Sequence, residues 1–356
     1  SRSGYATGLI GKAHLSTHHT FEPSESPECE ATQQDYGPDW RGPWMGFDNV
    51  ELSILGAGHN LSKQHDPPRG QHYEQRFSRN GLGDARRAAY GTRLSPSVEG
   101  ERAWHSALPS AIHHSEWVAD RSIHFMRAHQ DQPFCLWASF SDPHFPFDCP
   151  DPWSRLHAPD EVDLPLVRER RLEGRPGWQL QLLSKDRKGK GLVGVGQPPP
   201  EEEHLRRITA NYYGMISLID HCVGRMMEGL ERMGLADNTL VLYTSDHGEW
   251  LGDHGLLLKG PFLYDGLLRV GCIARGPGVP AGQIISDPVS TVDLAATVLN
   301  AAGVSPEGKL HGEPLQRVWT GLAGRDHALN EWDLTPYRIG FDLQLRTVRT
   351  QRHRLT

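Results

Sequence analysis

Four short stretches of this 356-residue chain combine groups able to handle a tetrahedral oxyanion ester. Ser245-Asp246-His247-Gly248-Glu249 closes an apolar run and sets a carboxylate beside an imidazole. At a strand end, where the chain turns, an adjacent Asp and His can both reach one metal ion, although the same residue types also serve simple Asx turns. Ser141-Asp142-Pro143-His144-Phe145-Pro146-Phe147 holds a histidine between two prolines that restrict its backbone. Gly11-Lys12-Ala13-His14-Leu15 puts Lys12 and His14 two residues apart, on one side of an extended segment. Leu258-Lys259-Gly260 follows the glycine-rich Gly252-Asp253-His254-Gly255. Taken singly, each stretch also reads as a rigid or solvated loop. Together they supply an anionic metal ligand, imidazoles and two ammonium groups. A metal and lysines neutralise charge on nonbridging oxygens, and a histidine protonates the leaving oxygen.

The elements that must position these residues are legible from apolar patterning. Phe134–Phe140, Thr239–Ser245 and Leu268–Ala274 read as buried strands. Helical spacing over 203–234, with Gly234 as C-cap, predicts a long helix, and shorter ones fit His114–His129 and Thr291–Ala302. Buried strands alternating with helices predict an α/β fold with a mostly parallel sheet, in which ligands bind at the carboxyl ends of strands. Residues 60–110 and 151–202 lack periodicity and read as long loops, with Gln197-Pro198-Pro199-Pro200 as a rigid linker.

Composition narrows the classes of function. A formal net charge of −7 argues against nucleic acid or an anionic membrane as the main partner. No apolar run approaches the roughly 18 residues of a membrane span. The five cysteines are scattered and form no CxxC pair, which argues against a disulfide framework and leans towards a reducing compartment. Cys135, Cys222 and Cys272 read as small core residues.

The chain resembles the sulfatase family of the alkaline phosphatase superfamily. Gly4-Tyr5-Ala6-Thr7 with Gly11-Lys12-Ala13-His14-Leu15 matches a GYxT…GKxHL element. Pro133-Phe134 through Asp142-Pro143-His144 to Pro146-Phe147 matches a PFF…DPHxPF element. Thr244 to Glu249, then Leu251 to Gly255 and Lys259-Gly260, match the longest signature, and Arg269-Val270, Arg275 to Gly278 and Val292 to Leu294 continue it. The elements occur in family order over roughly residues 4–303. The resemblance implies an alkaline-phosphatase-like α/β fold and hydrolysis of sulfate monoesters. It implies Asp246 and His247 as metal ligands, usually to calcium, with manganese or magnesium as alternatives. Lys12 and Lys259 would bind sulfate oxygens, His144 would be the general acid and His14 would assist the nucleophile. Asp253 and His254 are better read as loop-forming. Two rivals stand beside this reading: a phosphonate monoester or phosphodiester hydrolase, and a non-catalytic relative that binds sulfated glycans. The partner is then a small-molecule or sugar sulfate, with no nucleic acid.

The departures are as informative. The family nucleophile is a formylglycine made within a CxPxR or SxPxR element, and its first metal ligands are an Asp-Asp pair. None of these occurs in the 356 residues. In the family they precede the GYxT element, so the expectation is that they lie upstream of Ser1 and that this chain alone is inactive. The catalytic domain is expected over 1–320. Residues 321–356, with Tyr337-Arg338 and Leu345–Thr350, resemble the start of a small C-terminal antiparallel subdomain.

Overall fold

The computed structural model describes residues 3–15, 26–28, 36–37, 39–53, 72–96, 103–183, 200–322, 324–334 and 339–356. Its chain divides into two compact units, 1–163 with 202–236, and 164–201 with 237–356. In chain order the elements begin with β1 (Ala6–Gly11), β2 (Asn49–Leu52), α1 (His72–Arg79), α2 (Gly83–Gly91), β3 (Arg93–Leu94) and β4 (Ala103–Ser106). There follow α3 (His114–Ala128), β5 (Phe134–Ser139), β6 (Phe147–Pro150), α4 (Gly177–Leu183) and α5 (Glu202–Arg232). The rest are β7 (Val241–Thr244), α6 (Asp265–Leu268), β8 (Cys272–Arg275), α7 (Asp293–Ala301), α8 (Gln316–Trp319), β9 (His327–Leu334), β10 (Leu343–Thr350) and β11 (Arg354–Leu355).

In the first unit β1 is the centre of a parallel sheet ordered β2-β1-β5. Successive side chains of a strand point to opposite faces, and β1 is buried on both. Leu9 joins Val50 and Leu52, while Ile10 joins Tyr73, Trp117, Val118 and Phe125. Burying each such side chain contributes about 1.5–3 kcal/mol. A second sheet pairs β4 with β6 in parallel and with β3 in antiparallel. The helices α3 and α5 pack through Ala119, Leu218 and Cys222. Arg225 of α5 also pairs with Glu116 and Asp120 of α3.

The second unit is built on Trp250 and Phe262, packed with Leu182, Leu183, Leu343 and Leu345. Trp250 donates its indole N–H to the Phe262 carbonyl (3.1 Å), so a large buried ring keeps its polar atom satisfied. Here β7 pairs antiparallel with β8, and β11-β10-β9 form an antiparallel sheet whose Leu343, Leu345 and Thr347 point inward. The whole is thus a mixed α/β fold with parallel strands flanked by helices and a small C-terminal antiparallel sheet.

Several elements differ from the sequence reading. The strand expected over 239–245 is half-buried, with Tyr243 40% exposed, because among the described residues it pairs with β8 alone. The strand expected from Leu268 starts at Cys272, since residues 265–268 form one helical turn. Cys272 is exposed rather than core, whereas Cys222 is buried. Within 60–110 the chain forms α1, α2, β3 and β4; the two helices carry four arginines and bury only a narrow stripe including Tyr73, Phe77 and Tyr90. Cys29, Pro198 and Pro199 of the expected linker, and Tyr337-Arg338 lie outside the described residues.

Candidate active site

In the first unit the charged residues gather at the carboxyl ends of β1, β2 and β5. Lys12 directly follows β1 and donates its backbone N–H to the Ser139 carbonyl at the end of β5 (3.0 Å). Ser53, after β2, donates to Gly11 (3.0 Å), and the Ser141 hydroxyl donates to the Ser53 carbonyl (3.0 Å). Three strand ends are thereby laced together. The lacing demands glycine at 11: its φ is +102°, and a Cβ there would stand 1.9 Å from the Ser139 carbonyl oxygen. Ala13 is buried, Lys12 half-buried and His14 exposed.

His144 lies five residues beyond β5, half-buried and stacked on Phe145 (centroids 4.7 Å apart, 25°). Its Nδ1–H donates to the Phe145 carbonyl (2.7 Å). A carbonyl only accepts, so this bond fixes the proton on Nδ1 and leaves Nε2 as the nitrogen that exchanges a proton.

The turn leading to His144 is anchored by Asp142, whose buried carboxylate accepts from His114 Nε2 (2.8 Å) and the Ser115 hydroxyl (3.0 Å). Burial pushes this carboxyl up, but the His114 and His113 imidazoles and those hydrogen bonds more than reverse it, holding the group at about 2. Among the described residues, His113, His114 and Asp142 are the group of donors close enough to share a metal. The tautomer of His113 opposes that use. Its Nδ1 accepts the Ser115 N–H (3.3 Å) as the N-cap of α3, which puts the ring proton on Nε2, the atom facing Asp142 at 3.8 Å. Burial, with the neighbouring His114, drives His113 down to about 3, so the ring stays neutral. This cluster is a hydrogen-bonded clamp.

In the second unit Asp246, His247 and Lys259 come together. Asp246 and His247 follow β7 in a turn where the Asp246 carboxylate accepts the His247 N–H (2.9 Å). His247 Nδ1–H donates to the Gly248 carbonyl (2.8 Å), which leaves a lone pair on Nε2. That nitrogen lies 2.9 Å from Lys259 Nζ and 3.6 Å from Asp246 Oδ2. An imidazole held by a backbone carbonyl at one nitrogen, with its other nitrogen beside a carboxylate oxygen, has the donor arrangement of a metal ligand. The pair fits part of the coordination sphere of a divalent ion; a calcium ion needs six or more oxygen-rich ligands in all.

One contributor was not singled out from sequence. Glu249 accepts the backbone N–H groups of Leu251 (3.3 Å) and Leu258 with the same oxygen, closing the loop that ends at Lys259. Burial raises this carboxyl to about 7, against the pull of those two N–H groups and of Lys259. Leu251 and Leu258 both have positive φ (44° and 68°), so the loop is held in a conformation that side-chain-bearing residues resist. The motif displayed Glu249, but only its burial reveals what it does.

A mixed α/β fold with lysine, histidine and an Asp-His pair at strand ends is of the sulfatase and alkaline phosphatase class. The crystal structure of the phosphonate monoester hydrolase of Agrobacterium radiobacter has this fold, with a TM-score of 0.73 and 24% identity over 99% of this chain and 69% of that one. The chain belongs to the sulfatase family, whose profile matches residues 1–304. It is 28% identical over 235 residues to an arylsulfatase of Clostridium perfringens, covering 62% of this chain and 46% of that protein. It is 33% identical over 177 residues to a choline-sulfatase of Rhizobium meliloti, covering 49% and 33%. The chain thus spans about half the length, or less, of these curated relatives.

Proposed function

We propose that the complete protein hydrolyses a sulfate monoester. The observation that carries this reading is the Asp246–His247–Lys259 constellation, in which His247 Nε2 lies 2.9 Å from the Lys259 ammonium and 3.6 Å from the Asp246 carboxylate. Asp246 and His247 would hold a divalent ion, calcium by preference and manganese or magnesium as alternatives, which when bound offsets charge on the sulfate oxygens. Lys12 and Lys259 bind those oxygens as point charges. His144 gives a proton from Nε2 to the departing alcohol oxygen, its ring held in place by the Phe145 carbonyl. His14 assists the attacking group, a formylglycine in the family's chemistry, whose CxPxR or SxPxR element is not among these 356 residues.

The rival within the same class is hydrolysis of a phosphonate monoester, which the likeness to the Agrobacterium radiobacter enzyme favours at the level of fold. The test is turnover by the full-length gene product of an aryl sulfate and of an aryl phosphonate monoester, each with and without a calcium chelator. A higher kcat/KM for the sulfate, lost on chelation and regained with calcium, is expected. A higher kcat/KM for the phosphonate ester would move the assignment to the rival.

A further inference from the structure

Beyond the constellation just described, the second unit carries a group of arginines that no part of that chemistry uses. At its centre is a stack of two rings, His254 on Tyr264, with centroids 3.8 Å apart and planes 17° apart. His254 lies five residues before Lys259 and is held at a φ of 53° by a bond from its N–H to the Val167 carbonyl (2.6 Å). Arg175 donates to the Tyr264 hydroxyl (2.8 Å), and the Arg354 guanidinium lies 5.4 Å from the Tyr264 ring centroid. Arg170 donates to the Gly255 carbonyl (2.6 Å), and its Nε is buried with no hydrogen-bond partner. Arg171 is exposed, its carbonyl accepting from Arg175. Arg349 and Arg354 share the one carboxylate of Asp265, each at 3.3 Å, and Arg349 Nε is also buried without a partner.

Among the described residues, the carboxylates tied to this group of five arginines are Asp265, shared by Arg349 and Arg354, and Asp253, beside His254. The acids of the same segment, Glu169 and Glu173, are exposed and form no ion pair among the described residues. The repulsion registers on the groups themselves. Burial and then Arg175 lower the pKa of the Arg170 guanidinium. Burial lowers that of His254; Asp253 opposes this, and Arg175, Arg354 and Arg171 add to it. Like charges clustered this way are costly unless an anion compensates them. Guanidinium forks match the oxygens of a sulfate group.

We propose that Arg170, Arg171, Arg175 and Arg354, arrayed about the His254–Tyr264 stack, form a subsite for a second sulfate of a substrate that carries several, namely a sulfated oligosaccharide. This rests on the sulfate-ester reading and narrows its substrate class. A choline sulfate would bring a cation to this cluster and a simple aryl sulfate would bring nothing for it to hold.

The test is binding of a heparin-derived hexasaccharide to the 356-residue chain by titration calorimetry, across a range of salt concentrations. A hyaluronan hexasaccharide, carboxylated but not sulfated, and inorganic sulfate serve as comparison probes. The double variant Arg171→Ala, Arg354→Ala removes two exposed guanidiniums, and an unchanged Tm would show that it folds. The expected result is affinity for the heparin fragment about tenfold or more weaker in the variant, with a shallower salt dependence. Equal affinity of the two proteins, or equal binding of the hyaluronan fragment, would overturn the subsite. Full-length protein carrying the same two changes should keep its kcat/KM on an aryl sulfate. Failure of wild type to hydrolyse any sulfate ester would remove the catalytic reading while leaving the binding result readable by itself.

Discussion

The carboxyl of Glu249 closes a strained loop and sits where burial raises it from 4.5 to about 7. A raised carboxyl favours folding in its protonated form. Its contribution is fully present below pH 4.5 and is lost as the pH rises to about 7. Glu249→Gln keeps an oxygen for the Leu251 and Leu258 N–H groups but cannot ionise. It should therefore be more stable than wild type at pH 8, by on the order of 3 kcal/mol, and the two should converge near pH 4.5; a parallel pH dependence of the two denaturation midpoints would contradict this. At His144 the proton matters most for a poor leaving group. His144→Ala should cost about 10²- to 10⁴-fold with an alkyl sulfate and far less with a nitrophenyl sulfate, and equal losses would refute the acid role. Residues such as Asp246, His247 and Lys259 were legible because one turn and one short loop bring them together. The Asp142 clamp was not, because His114 lies 28 residues away and only packing makes them neighbours.

Among elements, β5 was read as a strand from its apolar run, whereas β1, which it joins in parallel from Ala6–Phe134 to Gly11–Ser139, was not singled out; β5 is half-buried rather than buried, with Trp137 43% exposed. The two ends of β1 offer a contrast between two glycines. Gly4 (φ +80°) has open space around its would-be Cβ, whereas Gly11 (φ +102°) has the Ser139 carbonyl there. Gly4→Ala should cost about 1–2 kcal/mol, for the backbone alone. Gly11→Ala should cost about 3 kcal/mol or more, because the β1–β5 junction must also open. Chemical denaturation of the two variants giving equal losses would sink this account. Helices α1 and α2 escaped the sequence reading because they are short and their apolar stripe is narrow among charged side chains. Strand β7 was read as buried because apolar content does not distinguish a strand flanked on both sides from one of a two-stranded ladder.

At the scale of the molecule, fold class and family were legible because the motifs run in family order over roughly residues 4–303, within the 1–304 that the family profile matches. Substrate identity was not, because the arginines proposed to select it, Arg170, Arg171 and Arg175, lie in a segment whose sequence shows no periodicity. The absence of a CxPxR or SxPxR element from the 356 residues gives a prediction for the whole chain. With no such element to convert, residues 1–356 expressed alone should turn over no aryl sulfate with added calcium, whereas a gene product that carries one should. Turnover by the 356-residue chain comparable to full length would place the nucleophile among residues given other roles above.

The interleaving of the two units sets a schedule for synthesis. The first unit needs α5, which emerges only after residues 164–201 of the second unit have left the ribosome. Of these, Leu182 and Leu183 must wait in turn for Trp250 and Phe262, their buried partners. During vectorial emergence, Leu182 and Leu183 therefore stand exposed while the first unit closes, and a chaperone that shields short apolar segments has its natural window there.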